Sequence, residues 1–274
     1  MKIVFCIDDN PRYLMLARVA VRSLRRLYGD DVPVLCVYGG NLPEVVEAVE
    51  AERIPLALYS PVLNHSTVPP AFHRAIGAFL KLELALVPEL ADEEHVLYCD
   101  SDIYFHARFD ELLAMKPPYM AMAREASSPF WHDVQQMHYV WRDRNYTVPL
   151  PFPIWTYSSG VVNFNLTRLR RHDHIHNFLA YCLQNVHHIG NLDQSLLNYF
   201  FGKRITKLPP PYNCPPYRAD ARDAGCLIHF HGPKPWDIKA ELWRELRINH
   251  FHWFRERWFD LLTPDEAELA RSWA

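Results

Sequence analysis

The sequence predicts an α/β fold built on a mostly parallel central sheet, and three observations carry that prediction. Strand-like and helix-like segments alternate from the N-terminus, the pattern that generates a parallel sheet. The strand-like segments KIVFCI (2–7), VPVLCVY (32–38) and HVLYC (95–99) are continuous apolar runs, as expected of strands covered on both faces. The acids Asp8, Asp100 and Asp102 stand where such runs end. In sheets of this kind ligands collect beyond the carboxyl ends of the strands.

In order along the chain, residues 2–7 form a strand that Asp8–Asn10 closes. Leu14, Leu16, Ala17, Val21, Leu24 and Leu27 give residues 12–28 helical spacing. A strand at 32–38 ends at Gly39–Gly40, a helix follows at 42–51, and IPLAL (54–58) is a short strand. Residues 61–70 are a loop, 71–87 an apolar helix containing Lys81, 95–99 a strand, 107–114 a short helix and 119–123 a strand. The Pro- and aromatic-rich stretch 124–157 has no period and is expected to be an irregular insertion on the substrate side. Residues 159–166 are a strand. Thr167 is placed to cap a helix over 168–187. Another helix starts at Asp193, LPPPYN (208–213) is a loop, CLIHF (226–230) is the last strand, and 237–274 is helical.

The 274 residues are 49% hydrophobic, enough for one large core, and the net charge of −3 argues against nucleic acid as a partner. The six cysteines show no CxxC spacing, which disfavours zinc. The apolar run after Lys2 is too short for a signal peptide, and no stretch approaches the roughly 20 apolar residues of a membrane span. Together with thiols that read as reduced, this gives a cytoplasmic expectation.

The chemistry concentrates at LYCDSDIYF (97–105). In an extended segment Asp100 and Asp102 share a face, about 6.5–7 Å apart at Cα. Two ionised carboxylates there repel and are costly to bury unpaired; a cation or a ligand hydroxyl relieves both problems. A bare DxD is more often a surface turn, but apolar residues on both sides favour a site. The segment IHFHGPKPW (228–236) adds His229, which with carboxylates makes a plausible Mn²⁺ shell. It also adds Lys234, which can hold phosphate as a point charge. Taken alone, His229 reads as a core histidine and Lys234 as a solvated loop lysine; His231 is a second candidate ligand.

Four ordered blocks, FCIDDN (5–10), LYCDSD (97–102), SSGVVNFNL (158–166) with LDQSLLN (192–198), and HFHGPKPW (229–236), resemble glycosyltransferase family 8, the group of glycogenin and bacterial lipopolysaccharide galactosyl- and glucosyltransferases. The resemblance implies a GT-A fold, with residues 1–236 as the catalytic domain and 237–274 as a helical extension packed on it. It implies retaining transfer of glucose or galactose from a UDP-sugar to a saccharide or glycolipid, such as a bacterial surface glycan. Mn²⁺ is the implied cofactor, with Mg²⁺ as the alternative. Carried over residue by residue, Cys6 (through its backbone), Asp8 and Asn10 hold uracil and ribose. Asp100, Asp102 and His229 are the metal ligands, with Asp100 also near the ribose. Ser101, Ser159, Gly232, Lys234 and Lys81 contact the donor. Asp193 and Gln194 sit beside the donor sugar and its anomeric carbon as the catalytic pair. The chain departs from the family in having Ser158 for the usual Asn, Phe79 where several bacterial members carry Arg, and only Pro233 between the loop glycine and lysine.

Two other readings compete: a non-catalytic nucleotide-sugar-binding protein, and a metal-dependent phosphotransferase with Asp100 as nucleophile. At the C-terminus, Phe251, Phe254, Trp258 and Leu261–Leu262 form one helical stripe. It is expected to pack on the core; the alternative is an interfacial helix giving peripheral contact with the inner face of the cell membrane.

Overall fold

The computed structural model describes residues 1–125, 136–142, 144–150, 155–237 and 250–274. Its centre is a seven-stranded sheet. The first three strands, β1 (Lys2–Ile7), β2 (Val34–Tyr38) and β3 (Leu56–Leu58), alternate with helices α1 (Pro11–Tyr28) and α2 (Pro43–Ala51). Next come β4 (His95–Cys99), β5 (Ile103–Phe105), α3 (Asp110–Ala114) and β6 (Met120–Arg124). A hairpin of β7 (Gln136–Trp141) and β8 (Arg144–Pro149) precedes β9 (Tyr157–Asn165). After α4 (Leu166–Arg170), α5 (His174–Asn185) and α6 (Leu192–Phe201) come β10 (Ile205–Leu208) and β11 (Leu227–His229).

The sheet order is β10-β6-β9-β4-β1-β2-β3. Only β9 runs against its neighbours, pairing antiparallel with β4 and β6, while the other pairs are parallel. The apolar runs follow from two-sided burial. β1 sends Val4 and Cys6 into one core and Ile3, Phe5 and Ile7 into the other; β4 does the same with Val96 and Tyr98 against Leu97 and Cys99. One face is covered by α4, α5, α6 and the segment around Phe79–Ala85, the other by α1, α2 and α3. Asn10 caps α1 by accepting from the Arg12 amide at 3.0 Å, and Pro11 starts it.

A third core holds the C-terminal stripe. Phe251, Phe254 and Trp258, on the helix His250–Phe259, pack with Leu261 against Met15, Leu16 and Val19 of α1 and against Tyr104, Ile228, Phe230 and Trp236. All three aromatic side chains are buried, so this stripe does not lie in a lipid interface. A capping box at Thr263 and Glu266 starts the last helix, Pro264–Ser272. Arg22 donates to both carboxylate oxygens of Glu266 at 2.6 and 3.0 Å, tying that helix to α1. The helical expectation for 238–249 falls outside the described residues.

Four local expectations are corrected. Residues 71–87 are not an α-helix but a 3₁₀ segment, Pro70–Leu86, with Ala75 out of helical conformation. Phe79 to Ala85 are all buried, the charged Lys81 and Glu83 included. The helix expected over 168–187 is broken, and Asn165 rather than Thr167 caps its first part, accepting from the Arg168 amide at 2.8 Å. His172 and Asp173 adopt left-handed conformations (φ 55° and 56°) between α4 and α5, a region in which His and Asp are enriched. The 124–157 insertion contains the β7–β8 hairpin, and β10 is a strand with no counterpart in the sequence reading.

Candidate active site

Asp100 and Asp102 flank a turn, not a strand. β4 ends at Cys99 in the main sheet; Asp100 then accepts the Ile103 amide through its carbonyl at 3.2 Å, and the chain re-enters extended conformation as β5 in a separate two-stranded sheet with β11. The expected shared strand face is therefore replaced by a tight reversal of direction, which still brings the two carboxylates together. The antiparallel β5–β11 register sets His229 opposite Ile103, and the Phe230 amide donates to the Asp102 carbonyl at 3.1 Å. That pairing delivers the imidazole to the turn. His229 Nε2 lies 3.2 Å from Asp102 Oδ1 and 3.7 Å from Asp100 Oδ2.

Gly160 on β9 makes room for this ring. Its carbonyl accepts the Asp100 amide at 2.8 Å, and a Cβ there would fall 2.1 Å from His229 Cε1. Asp102 Oδ1 is buried with no hydrogen bond, an arrangement that costs on the order of 1–3 kcal/mol when nothing compensates it. One donor atom each from Asp100, Asp102 and His229 lies within 4.8 Å of the others. Two carboxylate oxygens and an imidazole nitrogen fit a first-row divalent cation such as Mn²⁺.

The profile of glycosyl transferase family 8 matches residues 62–240. The chain belongs to glycosyltransferase family 8. Similar solved structures include the galactosyltransferase LgtC in complex with donor and acceptor sugar analogs (TM-score 0.71, 20% identity, 98% of this chain and 100% of that one). The bifunctional glycosyltransferase WbbM gives TM-score 0.68 at 18% identity over 99% of this chain and 51% of that one. GlyE from Streptococcus pneumoniae TIGR4 gives 0.59 at 15% identity over 94% and 63%. No curated protein matches the sequence significantly. The fold is GT-A, in agreement with these neighbours.

In this family 8 glycosyltransferase a cavity of about 480 Å³ opens over the turn. Cys6, Asp100, Ser101, Asp102, Ser159, Asp193, Gln194, His229, Gly232 and Lys234 line it. Asp8, Asn10 and Lys81 are not among its lining residues. The Asp8 carboxylate accepts the Gly77 and Asn10 amides, both at 2.9 Å, so it shapes the backbone at the rim. Burial raises its pKa, partly offset by those bonds. Lys81 lies beneath the floor, fully buried, with Nζ 2.8 Å from Asp100 Oδ1 and 2.9 Å from Asp193 Oδ2. Burial alone would lower its pKa, but Asp100 and Asp193 outweigh it and keep the ammonium above its ordinary range. The Tyr98 hydroxyl also donates to Asp100 Oδ1.

Asp193 opens α6. Asn198, one turn further on, accepts the Tyr157 amide at 2.8 Å and donates to its carbonyl at 2.7 Å, docking α6 on β9. Burial raises the Asp193 pKa although Lys81 opposes it. Gln194 Oε1 accepts the Ser159 amide at 3.2 Å. Lys234 Nζ reaches Asp102 Oδ2 at 2.5 Å and the Phe230 carbonyl at 3.0 Å, from a loop turned by Gly232 at φ 87°. Burial would raise the Asp102 pKa, yet the ion pair with Lys234 holds it well below the usual carboxylate range. His231 is not part of the three-residue cluster. Its Nε2 is 2.9 Å from the Tyr217 hydroxyl, and burial beside His229 pushes its pKa down to about 3.

Glu125 is a cavity residue with no counterpart in the sequence reading. Its carboxyl is pushed up by burial, and Oε2 has no hydrogen-bond partner. It sits at the edge of the aperiodic 124–157 stretch, where no motif marks it. Tyr13 and Tyr98 also line the cavity; both lie inside apolar helix and strand patterns that read as core.

Proposed function

We propose that this glycosyltransferase moves glucose or galactose from a UDP-sugar to a saccharide or glycolipid acceptor, with retention at the anomeric carbon and with Mn²⁺ preferred over Mg²⁺. The observation that carries the reading is the convergence of Asp100, Asp102 and His229 on one cavity that also contains Lys234, Asp193 and Gln194. The likeness to LgtC, named as a galactosyltransferase, supports a hexose donor.

Asp100, Asp102 and His229 would hold the cation, which when bound neutralises charge developing on the departing diphosphate. Lys234 is the second cation of the site. Its flexible stem lets Nζ leave Asp102 for a phosphate oxygen, with the Gly232 turn keeping the loop backbone clear. Cys6 and Ile7 at the end of β1, with Gly77 and Ala78 opposite, offer the cleft for the nucleoside. Asp8 and Asn10 serve that cleft indirectly, by fixing Gly77 and capping α1. Ser101 and Ser159 supply polar contacts along the donor.

The chemistry favours front-face substitution. Asp193 is ion-paired with Lys81, which reduces its nucleophilicity, and the Gln194 oxygen already accepts from Ser159. A phosphate oxygen of the leaving group then takes the acceptor proton. Glu125, a half-buried carboxyl lining the cavity, widens the set of residues facing the sugars beyond Asp193. Among the described residues no helix is long and apolar enough to cross a membrane. Phe251, Phe254 and Trp258 of the C-terminal stripe are buried in the protein and do not support membrane contact.

The test is hydrolysis of UDP-glucose and UDP-galactose with Mn²⁺, Mg²⁺ or EDTA, which needs no acceptor. Mn²⁺ should give the faster turnover and EDTA none. His229→Ala should lose most activity, and Asp102→Asn should lose more because it removes charge as well as a ligand. His229→Asp should recover part of it with a shift toward Mg²⁺, whose preferred shell is all oxygen. Turnover in EDTA, or His229→Ala matching the parent under both metals, refutes the metal reading.

A further inference from the structure

The imidazole of His229 is held from behind by a residue outside the three-residue cluster. His229 Nδ1 is 2.8 Å from Asn213 Oδ1, and both side chains are buried. Asn213 ends the turn Pro210–Asn213, which backbone bonds hold alongside β11. The Cys226 amide donates to the Pro211 carbonyl at 2.8 Å, the Cys214 amide to Leu227 at 2.9 Å, and the His229 amide to Cys214 at 2.9 Å. The amide therefore belongs to the same small framework as the ring it meets.

We propose that Asn213 is a positioning residue that sets the tautomer of His229 and so makes Nε2 a ligand; the proposal rests on the metal reading above. An amide oxygen only accepts. Nδ1 must then carry the ring proton, and Nε2 presents a lone pair to the cavity. This accounts for Asp102 Oδ1, which lies 3.2 Å from Nε2 yet has no hydrogen bond: neither atom has a proton to give. A cation is what satisfies such a pair. A neutral amide suits the task, because it accepts from Nδ1–H without adding a further negative charge beside Asp100 and Asp102. The ring occupies the space a side chain at 160 would fill, since a Cβ there would fall 2.1 Å from Cε1 and 2.5 Å from Nδ1.

The opposite arrangement has the Asn213 amide turned over, Nδ1 accepting and Nε2–H donating to Asp102. That would make His229 a hydrogen-bond donor rather than a ligand. Long-range ¹H–¹⁵N correlation spectra of the histidine-labelled, metal-free protein separate the two, with His229→Ala identifying the resonance. A protonated Nδ1 with a pyridine-type Nε2 is expected; an Nε2–H tautomer overturns the proposal. Mn²⁺ binding measured by electron paramagnetic resonance gives the second readout. Asn213→Leu should weaken it about 10–100-fold, the range for loss of such an outer partner, while Asn213→Asp at pH 8 should keep it far closer to the parent. Unchanged affinity in Asn213→Leu overturns the proposal. If that variant does not fold, the parent spectrum still decides. If the parent binds no Mn²⁺, the metal reading falls, and the spectrum still decides whether Asn213 sets the ring.

Discussion

Lys81→Met removes the only cation within ion-pair distance of Asp193 among the described residues. Methionine fills a similar volume, so the perturbation is mainly electrostatic. Lys81 and Asp193 are both buried, at 1% and 4% exposure. Breaking such a pair by deleting one partner leaves an uncompensated buried charge and costs about 3–5 kcal/mol. For a chain of this size about 2–4 °C is lost per kcal/mol, so Tm should drop about 6–20 °C at pH 8. The cost should depend on pH. Burial already raises the Asp193 pKa, and losing the ammonium raises it further. A carboxyl whose pKa is higher folded than unfolded favours the folded state less as pH climbs from the unfolded value through the folded one. Lys81→Met should therefore be less destabilised at pH 5 than at pH 8, and Asp193→Asn in the same chain should restore much of the loss. Urea unfolding at both pH values measures this. A loss below about 1 kcal/mol at pH 8, or equal losses at both pH values, would refute the assignment of Lys81 as the counter-ion that keeps Asp193 ionised.

Gly160→Ala should keep the fold, because Gly160 is not in a left-handed conformation, at a cost of about 1–3 kcal/mol for overpacking. Its methyl would displace the His229 ring, and Mn²⁺ affinity should fall at least about tenfold; calorimetric titration that finds parent-like affinity would show that the ring position is immaterial. Trp258→Ala, on the buried C-terminal stripe, should destabilise the protein by about 3–5 kcal/mol in denaturant unfolding, whereas a membrane-facing side chain at that place would leave stability unchanged and alter vesicle binding instead.

The central strands were legible because two-sided burial forces continuous apolar runs, and β1, β2 and β4 lie where the runs lie. The grouping of Asp100, Asp102 and His229 was legible because these residues stand in ordered blocks of the sequence. Asn213, Asn198 and Glu125 were not. The first two are single polar residues whose significance comes from a partner far away in sequence, 16 residues to His229 and 41 to Tyr157, and Glu125 stands in a stretch with no period. β10 was hidden because ITKL carries Thr and Lys in a strand of four residues. The reversed direction of β9 was equally hidden, since an apolar run reads the same in either orientation. The placement of Asp100 and Asp102 in a turn depends on β5 leaving the main sheet for β11, a pairing across more than 120 residues that local pattern cannot reveal.

That change of sheet has a thermodynamic consequence. Asp100 is anchored to β9 of the large sheet, while His229 stands on the small one, and the outer side of the small sheet, at Tyr104, Ile228 and Phe230, is what the C-terminal aromatics cover. A cation gripping both acids and the imidazole would staple two separately hydrogen-bonded layers together. By linkage, its uptake and the seating of the C-terminal helices would then reinforce each other. Residues 250–274 would contribute to metal affinity from the far side of the small sheet, without a single atom in the cavity.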